Sequence, residues 1–129
     1  MMKGKSSNDL IVGGMLGEGV KMEGTLNFKQ TFRIDGEFQG KILGSERLVV
    51  GEKGIVKGEI ECNSLICYGK ITGNIKIKQD VEIHPKGRVE GDIFLESPLL
   101  TVLEGGSIDG TIKMAKKDNT ILSITEKAK

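Results

Sequence analysis

Tryptophan is absent from this 129-residue chain, aromatic residues make up 4% of it, and it holds two prolines, two cysteines and one histidine. So few rings exclude a globular core built on large side chains and favour thin layers of stacked aliphatics. Cys62 and Cys67 are spaced unlike any Cys-x-x-Cys metal or redox pair, and read as small buried hydrophobes. Charge of one sign is also missing. Nineteen basic against 18 acidic residues give a net charge of +1, so no global field draws the chain to nucleic acid or membrane. Long apolar runs are missing as well: Leu10-Ile11-Val12 is far shorter than the roughly 7 to 15 residues of a secretory signal or the about 20 of a membrane span. The expectation is a cytoplasmic protein that reaches a membrane only by surface attachment.

What the chain does have is glycine, 19 residues of it, in a recurring frame. Val89-Glu-Gly91-Asp-Ile93 returns around Gly24, Gly40, Gly58, Gly73 and Gly110, with steps of 16, 18, 15, 18 and 19 residues. A repeat below about 20 residues is too short for a pair of helices and suits one coil of a β-solenoid. Two residues before the glycines stand Met22, Phe38, Val56, Ile71, Val89 and Ile108; two after stand Leu26, Ile42, Ile60, Ile75, Ile93 and Ile112. Every one is apolar, and every immediate neighbour of a glycine is polar. Alternation of period two broken by glycine marks half-buried strands, and like residues in columns are what stacked coils need. The glycine itself has inward parity, which points to a corner or a close backbone approach with no space for a Cβ. Upstream, 50–54, 83–87 and 102–106 read as turn corners, with Ile34-Asp35-Gly36 a shortened version.

The predicted fold is therefore all-β, a single-stranded parallel β-helix of about six coils rising ~4.8 Å each. The domain spans 19–114, between an N-terminal tail over 1–18 and a basic C-terminal tail over 115–129. Gly13, Gly14, Gly17 and Gly19 are not followed by Gly-Lys-Ser/Thr and do not make a phosphate loop. Thr120-Ile-Leu-Ser-Ile124 reads either as one more short strand or as a partial cover over the last coil. Interior coils pair above and below, whereas end coils are templates for another chain. The leading end would present Val20, Met22, Leu26 and Phe28, and the trailing end Ile108, Ile112 and Met114, so the rods are expected to stack end to end.

With its Val-x-Gly-x-Ile elements, the early Ile34-Asp35-Gly36 and the late segment from Leu103 to Met114, the chain resembles bactofilins over roughly 15–114. The resemblance implies a right-handed β-helix that polymerises with itself, without nucleotide or other cofactor, into a bacterial cytoskeletal scaffold. It further implies an anionic inner-membrane surface as partner, and cell-shape, cell-wall, motility or polar machinery as clients. Met1, Met2, Lys3 and Lys5 resemble the family's short membrane-binding peptide, with Met2 in place of the more usual Phe. The rival reading is a left-handed β-helix acyltransferase, whose aliphatic residue at every sixth position is broken here by the steps of 15 and 19. The only histidine, His84, falls in a turn corner, and neither Ser64 nor Ser107 has a histidine close in sequence, so no catalytic, cofactor-binding or metal-ligating set is expected. A third reading, a binding module with a recruiting face, leaves that face unplaced.

Overall fold

The computed structural model describes residues 12–97, 99–115 and 121–126. Its strands are β1 (Val12–Leu16), β2 (Lys21–Phe28), β3 (Thr31–Ile34), β4 (Glu37–Gly44), β5 (Arg47–Val50), β6 (Ile55–Cys67), β7 (Lys70–Ile83), β8 (Arg88–Leu95), β9 (Leu100–Val102), β10 (Ser107–Ala115) and β11 (Ile121–Glu126). They form one sheet wound into a parallel solenoid, with no helix among the described residues. Each coil contributes a short rung and then a long rung. Long rungs stack as β2, β4, the start of β6, the start of β7, β8 and β10. Short rungs stack as β1, β3, β5, the end of β6, the end of β7 and β9. Six rungs in each ladder match the six glycine frames.

The glycines fall in one register, Gly24 beside Gly40, then Gly58, Gly73, Gly91 and Gly110. Their φ angles lie between 130 and 153°, where a Cβ is strained. From Gly40 onward a Cβ would also collide with the carbonyl oxygen of the glycine one coil earlier. Of the two expectations for the glycine, a corner or a close approach, the close approach is observed, at glycines that lie within the long rungs. On either side, Phe38, Val56, Ile71, Val89 and Ile108, and Ile42, Ile60, Ile75, Ile93 and Ile112, are buried. Each such side chain contributes roughly 1.5–3 kcal/mol on burial, so a thin core suffices because it is continuous.

The uneven repeat has a structural cause. Turns at 17–20, 51–54, 84–87 and 103–106 are closed by the N–H of the fourth residue donating to the C=O of the first. In the coils between, residues 35–36 and 68–69 form two-residue corners instead, which accounts for the short steps of 16 and 15. In the turn at 84–87, Pro85 precedes Lys86 at φ 78°, a conformation usually left to glycine.

The solenoid begins earlier than the sequence reading placed it. β1 lies inside the expected tail, pairs in parallel with β3, and buries Leu16. Gly14 is part of this rung: a Cβ there would press on the ring of Phe32. At the other end the expected basic tail contains β11, which pairs antiparallel with β10.

Candidate assembly ends

A solenoid has two places where backbone hydrogen bonding is unfinished, its first and last coils. At the leading end, β2 pairs only with β4 and β1 only with β3 among the described residues, so both outer edges stand free. Val20 and Met22 are 47% and 41% exposed there, while Leu26 and Phe28 are half-buried and packed on the core. The Phe28 ring stacks on Phe32 with centroids 5.5 Å apart, and it lies over Gly44, where a Cβ would collide with it. Among the described residues, Gly24 alone in its column has nothing within 4 Å of its Cβ position. The place that a preceding glycine carbonyl fills in every later coil is empty in the first.

The trailing end departs from the sequence expectation of a bare edge. Ile108, Ile112 and Met114 do not form a presented surface: all three are buried within the rod. The outer edge of β10 is occupied by β11 through six register pairs, from Gly110 with Glu126 to Ala115 with Ile121. Of the stretch expected at 120–124, residues from 121 onward do form one more short strand, and that strand covers the outer edge of β10. The short-rung ladder ends differently. β9 has no outer partner among the described residues, and Leu99, Val102 and Leu103 are 59%, 37% and 38% exposed beside it.

The sequence reading placed Val102 and Leu103 only in a turn corner and missed the exposure of all three, although for Leu99 and Leu103 a signal was available. Leu99 precedes Leu100 as Asp80 precedes Val81, and Leu103 follows Val102 as His84 follows Ile83. Apolar side chains thus stand at positions 99 and 103, where the preceding coil has Asp80 and His84. Met1, Met2, Lys3 and Lys5 lie outside the described residues.

The flank of the short-rung ladder carries a shallow groove of about 830 Å³ lined in part by Met15, Val49 and Ile66. Two charged pairs lie along it, Arg33 with Asp35 and Lys53 with Glu18. Arg33 Nε donates to Asp35 Oδ2 at 2.9 Å, a bond that holds the guanidinium still more firmly protonated. Farther along, the His84 ring stacks on Tyr68 at 4.3 Å, with Nε2 3.0 Å from Glu82 Oε1. Ser64 Oγ donates to Asp80 Oδ1 at 2.7 Å. The Cys62 and Cys67 thiols donate to the carbonyls of Ser64 and Gly69, and burial pushes their pKa values up to about 12 and about 11. No group of three or more His, Cys, Asp or Glu among the described residues is arranged to hold a metal ion.

Fold and ends together define a class: a parallel β-solenoid whose unfinished surfaces are its terminal rungs rather than a cleft. Residues 14–116 match the family model of bactofilin, described as polymer-forming cytoskeletal, and the chain belongs to that family. It is 30% identical over 109 residues to bactofilin BacO of Myxococcus xanthus, covering 84% of this chain and 85% of that one. Bactofilin BacP of the same organism is 28% identical over 78% of this chain and 41% of its own length. A cryo-EM reconstruction of Thermus thermophilus bactofilin double helical filaments shares the fold with a TM-score of 0.72, at 24% identity, over 78% of this chain and 98% of that one.

Proposed function

We propose that this bactofilin is a cytoskeletal scaffold whose rods join end to end into filaments without nucleotide, on the inner face of the cytoplasmic membrane, and organise cell-shape, cell-wall, motility or polar machinery. The observation that carries the reading is the leading coil. Its backbone edges are free among the described residues, Val20 and Met22 are exposed, and the space over Gly24 is what another rung would fill. Family membership supports the polymer, since the matching model is that of polymer-forming cytoskeletal proteins. A structural rather than enzymatic role is supported by the reactive side chains. Both thiols are sequestered and held protonated, which removes them as nucleophiles. Membrane attachment rests on the Met1-Met2-Lys3-Gly4-Lys5 segment.

The test is Met22→Arg. Because Met22 is exposed, the monomer should lose no more than about 0.5 kcal/mol of stability. Stacking another rung over it would bury an unpaired charge, so filaments should vanish from negative-stain images of nucleotide-free protein. A folded Met22→Arg protein that forms fibres as the parent does removes this end from the assembly.

A further inference from the structure

The trailing end is closed on one ladder and open on the other, and the closing strand is unlike every rung beneath it. All the other strand pairs of the solenoid are parallel, whereas β11 runs antiparallel to β10. Each later rung meets the one before it through the glycine column, but β11, Ile-Leu-Ser-Ile-Thr-Glu, contains no glycine and sets Glu126 against Gly110. It therefore occupies the position of a seventh long rung without continuing the repeat.

We propose that β11 is a built-in competitor for the trailing edge: it holds the outer N–H and C=O groups of β10 that a rung of a second copy would need, and must peel away before a rod bonds there. The proposal rests on the end-to-end reading above and adds its regulation. One edge of a strand hydrogen-bonds to one neighbour at a time, so β11 and an incoming rung exclude each other. The neighbouring β9 edge has no outer partner among the described residues and is flanked by Leu99, Val102 and Leu103. A second copy can dock on that half first, as β-strand addition does, and then displace β11 from the other half. Displacement is local, because β11 is joined to β10 through residues 116–120 and departs without unwinding a coil.

Two variants test this. In the first the chain stops at Ala115, leaving β10 bare. Six fewer register pairs have to be exchanged on joining, so assembly should begin at a protein concentration about tenfold lower. In the second, Lys113→Cys and Ser123→Cys are introduced together in the full chain at register partners of the antiparallel pair. Facing positions on such strands lie within the span a disulfide accepts. Oxidised, β11 is locked down and elongation should stall at small oligomers in sedimentation; reduced, the same sample should form filaments like the parent. Oxidised protein that elongates as fast as reduced protein overturns the competitor role while leaving end stacking intact. If parent and reduced variant never assemble, end stacking itself falls, and this proposal with it.

Discussion

At the level of single residues, the glycine column decides how closely coils approach. A Cβ at Gly73 would strike the Gly58 carbonyl, so this position excludes every other residue by sterics as well as by φ. The periodic glycines were legible in the sequence, since no other residue type fits an inward slot between two aliphatics so regularly. Gly14 and Gly44 were not, because each makes room for a ring, Phe32 or Phe28, that reaches it from a neighbouring coil. The thiols yield a pH prediction. Folded-state pKa values raised above the ordinary thiol value of 9.0 mean that the native state retains protons the unfolded chain releases. Their contribution is complete below pH 9 and is lost as pH climbs toward about 11 and about 12. Urea denaturation at fixed pH should show stability falling above pH 9 more steeply in the parent than in Cys62→Val/Cys67→Val.

At the level of elements, β6 and β7 each supply a long rung and the next short rung without a break, while the outer coils use separate strands. The middle of the rod is accordingly its best-bonded part, and the ends are where pairing can change. Ile112 shows how position in an element governs a substitution. It is fully buried on β10, with β11 paired alongside, so Ile112→Arg buries a charge inside the rod itself rather than between rods. The expected result is a monomer destabilised by about 4 kcal/mol or more, seen as a large fall in the urea midpoint. Loss of filaments in that variant would follow from unfolding, in contrast to Met22→Arg at the exposed end. A midpoint unchanged for Ile112→Arg would contradict the buried placement.

At the level of the whole molecule, a rod multiplies weak contacts. Lys3 and Lys5 near an anionic surface contribute about 1 kcal/mol each, and Met2 adds at most a few kcal/mol on insertion. A single copy would bind poorly, but a filament would present many such segments at once. Deleting residues 1–8 should release the protein from anionic liposomes in flotation while leaving filaments intact in micrographs. Equal flotation of the shortened chain would take the segment out of membrane binding.

The sequence by itself determined the number of rungs, the inward aliphatic columns and the glycine line. All of these depend on alternation and corner chemistry, which act over a few residues and repeat at each coil. Only the tertiary structure decided which edges remain unpaired. Whether β10 is bare depends on where the chain after Ala115 folds back, and an antiparallel return leaves no trace in a parallel repeat. The exposure of Val102, whose partner Ile83 is buried one coil earlier, depends in the same way on β9 being the last short rung among the described residues.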